Sequence, residues 1–190
     1  MEKLYLLICM AAVLLSCSGK PAGVSRERQE YTGQQEALLQ QGWTAGPVEN
    51  GDLSEKYGYE PKFGLQDNYF DITMGEGSSV AVKIMDVETD RCIRFVFVNE
   101  NSTATVSQIP QGKYYLKLAY GRDWMQHDTD SVTVGKFTTH VFYEKSRNVF
   151  DFGRKNSLRE VNYELKINVR NASAENNFST EPISESEFNS

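Results

Sequence analysis

A chain of 190 residues, 39% hydrophobic and 24% charged, has room for one modest domain with appendages and enough apolar side chains to fill it. Its net charge of −6 argues against a nucleic-acid partner, because binding to a polyanion is driven by Lys and Arg neutralising phosphates and no basic stripe runs through the sequence. Ten Tyr and ten Phe point to an all-β protein, since aromatic side chains pack well on a half-buried pleat.

Residues 1–16 read as a secretory signal, with Lys3 ahead of an apolar run from Leu4 to Leu15. A run of about a dozen residues is short of the roughly 20 that span a bilayer. Leu14-Leu15-Ser16-Cys17 closes the run and resembles a bacterial lipobox. The resemblance implies cleavage before Cys17 and lipidation of its sulfur, palmitate included. It also implies a place in the cell envelope, on the outer membrane of a Gram-negative bacterium. Two or more acyl chains hold a protein on a membrane at about 0.8 kcal/mol per buried methylene, so the rest of the chain needs no membrane-binding surface. Cys9 leaves with the signal and Cys17 carries lipid, so Cys92 stands alone and no intramolecular disulfide is expected.

Residues 17–64 are rich in Gln, Glu, Gly and Ser, with Tyr31, Trp43, Tyr57, Tyr59 and Phe63 as their few large apolar residues. This composition predicts a weakly ordered tether. A short helix is available around Ala37, Leu38 and Leu39, although Gly33 interrupts it and its apolar face is narrow.

Residues 65–190 carry the alternation of a β-domain. Tyr69 to Met74 reads as a strand, Gly75 to Ser78 as a hairpin turn, and Val80, Val82 and Ile84 as one face of the next strand. Ile93, Phe95 and Phe97 form a second row, and Ala104 and Val106 a weaker third. Pro110, which cannot donate to a ladder, and Gly112, which tolerates positive φ, make a structural turn that aims Tyr114 inward. Tyr114, Leu116, Leu118 and Tyr120 continue inward from it. Trp124 then leaves the strand for a polar loop from Met125 to Gly135. Val161 to Val169 gives the cleanest alternation and predicts a central or long strand with one wet face. Phe178, Ile183 and Phe188 are placed to clip the polar tail onto the sheet. About seven strands with no helical period predict an antiparallel β-sandwich.

The Pro110-Gln111-Gly112-Lys113-Tyr114 turn resembles that of carboxypeptidase regulatory-like, or transthyretin-like, β-sandwiches. Residues 65–190 are also similar to a group of bacterial secreted domains and lipoproteins. The likeness is carried by this turn, by Tyr120-Gly121 with Trp124, and by the tail from Thr180 to Phe188. It implies a sandwich fold and no activity. Many members continue the Trp element with Tyr-Gly and Phe-Gly, where this chain has Met125-Gln126-His127, so a ligand role of that loop does not carry over.

Catalytic constellations are scarce. A nucleophile and base would have to use His127 or His140, and Cys92 between Arg91 and Arg94 reads more simply as an inert strand cysteine. Asp123, His127, Asp128 and Asp130 bring metal-type donors together, but their spacing fits no known loop and a solvated loop is the simpler reading, so no metal or other cofactor is expected. The expected function is a non-catalytic, lipid-anchored envelope module that supports or recognises another macromolecule, protein or glycan. The alternative is a small-ligand or glycan-binding lipoprotein using Tyr120, Trp124 and His127. A binding platform needs Trp124 exposed, whereas a structural role needs it buried.

Overall fold

The computed structural model describes residues 26–154, 159–170 and 173–190; the expected signal peptide and Cys17 lie outside them. Helix α1 (Arg26–Gln40) precedes two short strands, β1 (Thr44–Ala45) and β2 (Gly51–Asp52). The patterned region supplies β3 (Tyr69–Met74), β4 (Ser79–Asp86), β5 (Cys92–Val98), β6 (Ser102–Val106), β7 (Lys113–Asp128), β8 (Thr133–Ser146), β9 (Phe150–Asp151) and β10 (Asn162–Arg170). The chain continues through β11 (Ser173–Asn176), β12 (Thr180–Pro182) and helix α2 (Glu185–Asn189).

The strands form two packed sheets, the all-β sandwich that the alternation predicts. The larger has the order β12-β8-β7-β4-β5-β2, with β9 and β1 extending the two sides of the long β7. The smaller has the order β11-β10-β3-β6. Strand β10 is internal, as its alternation requires, but its pairing with β3 is parallel, from Asn162 opposite Tyr69 to Ile167 opposite Met74. Every other pairing among the described residues is antiparallel.

Between the sheets lies a core built from the expected rows: Phe70 and Ile72 of β3, Val82 of β4, Leu116, Leu118 and Tyr120 of β7, and Leu165 and Ile167 of β10. The turn at Pro110 owes its shape to the tyrosine that follows it. The Tyr114 hydroxyl donates to the Pro110 carbonyl at 3.0 Å, and Phe152 N–H donates to the Gly112 carbonyl at 2.9 Å. Gly112 has φ 156°, and a Cβ there would press on the Tyr114 hydroxyl. Burial pushes the Tyr114 phenol up to about 12.

The other face of the large sheet is apolar too, which the reading of 17–64 as a tether does not anticipate. Phe95 and Phe97 of β5, with Ala81 and Ala119, form a second core against Val48, Tyr57, Trp124, Phe137 and Phe188. Alternation in β5 sends Phe95 and Phe97 outward and Val96 and Val98 inward; of the row Ile93, Phe95 and Phe97, only Ile93, next to the bulge at Ile84 and Met85, joins Val96 and Val98 in the inner core. Residues 44–59 therefore belong to the fold. Their backbone is tied in by Leu53 N–H to the Phe95 carbonyl, at 2.8 Å, and by Thr133 N–H to the Lys56 carbonyl, at 3.0 Å. Tyr57 and Tyr59 pack on Phe95, at 4.7 and 5.5 Å between centroids.

Arg94 is wholly buried where this segment meets the sheet. Its Nε lies 3.0 Å from Asp52 Oδ2, a charge contact without hydrogen-bond alignment, and Phe63 covers the guanidinium at 4.1 Å. Removing one partner of such a pair strands a buried charge, which costs about 3 to 5 kcal/mol. Asp52→Ala is expected to lose about 3 kcal/mol in urea unfolding, and adding Arg94→Met is expected to restore part of it. A midpoint unchanged by Asp52→Ala would contradict this pairing.

The tail covers a further part of the outer face. Lys83 and Lys117, paired across β4 and β7, are both buried, and their ammonium groups donate to carbonyls at the end of α2. Lys83 reaches Phe188 O at 2.6 Å, and Lys117 reaches Glu187 O at 2.7 Å. These carbonyls form the negative end of the helix. Burial, helped by Lys117, lowers the Lys83 pKa to about 8, while nearby Cys92 opposes the shift. A lysine depressed by folding favours the folded state more as pH rises from its folded to its unfolded value, here from about 8 to 10.5. Cys92, pushed up to about 12 by burial, acts in the opposite sense from its ordinary 9.0 upward, so a net gain is confined to about pH 8 to 9. Wild type is therefore expected to gain stability relative to Lys83→Met when urea midpoints are compared at about pH 7 and pH 9. A difference independent of pH would remove the buried charge from the account.

Candidate functional site

The hairpin of β7 and β8 is long because it bends and continues. Its register shifts between Tyr120 and Arg122, opposite His140 and Val141, and both Asp123 (φ 53°) and His140 (φ 52°) take left-handed backbone. The bend flips the strand's parity. Gly121 and Ala119 face the outer core, and continued alternation would put Asp123 there; instead Asp123 is exposed and Trp124 turns inward. The expected loop from Met125 to Gly135 is thus two paired strands, joined by a turn at residues 129–132.

Of the two placements open to Trp124, the buried one is found, so the indole itself is not an exposed binding platform. The indole is 7% exposed, lies edge-on to Phe97 and Phe137 at 5.1 and 4.7 Å, and donates from Nε1 to the Tyr57 hydroxyl at 3.0 Å. Gly135 gives it room, since any Cβ there would collide with the ring. Tyr120 faces the opposite core, stacked on Phe142 at 4.5 Å, with its hydroxyl donating to Glu144 Oε2 at 3.1 Å. Tyr120 and Trp124 therefore share no platform.

His127 also has structural work. Its Nδ1 is 3.1 Å from the Gly42 carbonyl, which requires a proton on that nitrogen, and its ring stacks on Trp43 at 5.8 Å. It pins the end of α1, where Trp43 N–H and Gln41 N–H both return to the Leu38 carbonyl. Asp128 accepts from Thr133 Oγ1 and Asp123 from Thr139 Oγ1, so the acidic side chains are engaged separately. Among the described residues, no three His, Cys, Asp or Glu side chains are grouped to hold an ion. Burial holds the Cys92 thiol protonated, and its sulfur lies 3.1 Å from the Arg94 carbonyl.

What the bend does create is a cleft of about 340 Å³ between the outer face, the end of α1 and residues 45–48. Its floor is Phe97, Trp124, Met125 and Phe137, all buried, and its rim carries Gln35, Asn99 and Asp123. Phe97 and Trp124 carry a readable apolar signal. Gln35 and Asn99 have none, because only tertiary contacts bring the helix and the end of β5 to the same opening.

Trp124→Ala is expected to lose about 3 to 5 kcal/mol of stability, as truncation of a buried aromatic does. Tyr57→Phe, which leaves the indole N–H without its acceptor, is expected to lose about 1 to 3 kcal/mol. Denaturant midpoints check both, and a Trp124→Ala midpoint equal to wild type would return the indole to the surface. Comparison with known proteins returns no matching family model, no matching curated protein and no matching solved structure.

Proposed function

We propose that the protein is a lipid-anchored module of the cell envelope, held on the membrane by acylated Cys17, that recognises another envelope macromolecule without transforming it. One unit of that partner enters the cleft beside Trp124. The observation that carries this reading is the contrast between the cleft's parts. Phe97, Trp124 and Phe137, buried and packed on one another, fix the floor, while the rim bears polar groups that reach solvent. Small-molecule sites have this composition, with an apolar lining and a few placed polar groups, and occupy about 300 to 1,000 Å³. A rigid floor also lowers the ordering cost of binding. In this reading the acyl chains on Cys17 supply the attachment to the membrane.

Gly46 offers the test, because it lines the cleft and a Cβ there meets nothing within 4 Å. A photo-crosslinking side chain at position 46 of the lipidated protein is expected to capture one predominant envelope component in cells, whereas the same group at Glu175, on β11 of the smaller sheet, is not. Equal labelling from both positions would count against the cleft. Cys17→Ala is expected to abolish palmitate incorporation; continued incorporation would defeat the anchor.

A further inference from the structure

We infer that the cleft is built for an uncharged, hydroxyl-bearing ring, a neutral sugar unit of a glycan, and not for an anion or a free ammonium. This inference rests on the proposed binding role of the same cleft and names its ligand class.

Several hydrogen bonds of the rim are already spent. Thr138 Oγ1 donates its single proton to the Asp123 carbonyl at 2.8 Å, so it can only accept from Gln35, whose Nε2 lies 3.0 Å away. That fixes the Gln35 amide, with Oε1 as its remaining acceptor. Asn99 is fixed likewise, because Nδ2 donates to the Val48 carbonyl at 3.0 Å, leaving Oδ1. Asp123 receives Thr139 Oγ1 on Oδ2, and Oδ1 takes no hydrogen bond from a described residue. Three rim side chains thus each present an oxygen acceptor while their amide donors are partly committed. The acceptors favour an incoming group that brings donors, and the second N–H of each amide suits one that also accepts, as a hydroxyl does.

Charge narrows the choice. Among the described residues, the cleft's lining has one carboxylate, Asp123, and no Lys, Arg or His. An anion would meet the Asp123 carboxylate and two amide oxygens with no cation among the described lining residues to offset its desolvation. An ammonium would be drawn to Asp123, but that carboxylate is exposed at the rim and the floor is hydrocarbon. A full charge would leave water there for one solvated counter-charge, an exchange that seldom gains. A sugar ring avoids both costs. Its C–H groups need only the narrow strip of Trp124, 7% exposed, and of its neighbours that the cleft reaches, so the aromatic rings set the shape of the site without serving as a stacking platform, and its hydroxyls donate to Asp123 Oδ1, Asn99 Oδ1 and Gln35 Oε1. The volume of about 340 Å³ admits one or two ring units of a chain and no folded domain.

The test is calorimetric titration of the full chain in detergent with disaccharides of glucose, galactose, mannose and N-acetylglucosamine, beside a glucosamine dimer and a glucuronate disaccharide as cationic and anionic probes. At least one neutral sugar is expected to bind about tenfold or more tighter than either charged probe, and Gly46→Phe is expected to weaken it at least tenfold with an unchanged melting temperature. Asp123→Asn, which tolerates the positive φ, is expected to weaken it about tenfold through loss of the charge-assisted acceptor. Tighter binding of a charged probe that Gly46→Phe removes would overturn the sugar assignment and leave the cleft as a site. No binding by any neutral sugar would also overturn the assignment, and crosslinking from position 46 would then judge the cleft separately. Neutral-sugar binding that survives Gly46→Phe would overturn both.

Discussion

A sheet with two apolar faces has to be covered twice. In this chain the large sheet sends Val80, Val82, Ile84, Leu116 and Leu118 one way and Ala81, Phe95, Phe97 and Ala119 the other, each set buried. The smaller sheet covers the first face. Among the described residues no further sheet covers the second, so the flanking segments cover it: residues 44–59 from the N-terminal side, and Ile183 with α2 from the C-terminal side. Burying several Phe and Tyr side chains at about 1.5 to 3 kcal/mol each is enough to recruit segments of weak intrinsic propensity. Two polar devices hold the cover in place: the buried charge of Arg94 against Asp52, and the buried lysines of β4 and β7 against the last carbonyls of α2.

The cleft is a consequence of how that cover is divided. The two flanking segments meet the sheet at different places, and the bend of the long hairpin lifts Trp124 toward the N-terminal one. Between them the aromatic floor is packed from below and remains partly open from above. The left-handed backbone at Asp123 and His140 is part of this arrangement, since a non-glycine residue with positive φ persists only where its surroundings hold it. At Asp123 the strain turns a carboxylate to the rim and an indole to the floor in a single step.

Much of this was legible beforehand because period-two alternation reports burial directly. The rows at Val80 to Ile84, Tyr114 to Tyr120 and Val161 to Val169 all pack as their pattern requires, and Phe178, Ile183 and Phe188 all contact the two cores. The Pro110 turn was legible for its residues but not for the hydroxyl of Tyr114 that closes it. Illegible parts have identifiable causes. The run of residues 44–59 is too polar to signal burial; its contribution is a few large side chains docked on a distant strand. The continuation of β7 past Gly121 was hidden because a bulge and a left-handed residue break the alternation there. The parallel pairing of β10 with β3 depends on the path of the connection, which no local pattern records.

Amide hydrogen exchange on the full chain tests most directly whether the flanking segments are part of the domain. Leu53 N–H, bonded to Phe95 O, and Ile183 N–H, bonded to Tyr143 O, belong to the two halves of the cover. The account predicts that both exchange at rates near those of central β4 and β5 amides, because exposing the second aromatic face opens the same cooperative unit. Exchange of both at the rate of an unstructured tether, with β4 and β5 still protected, would contradict it.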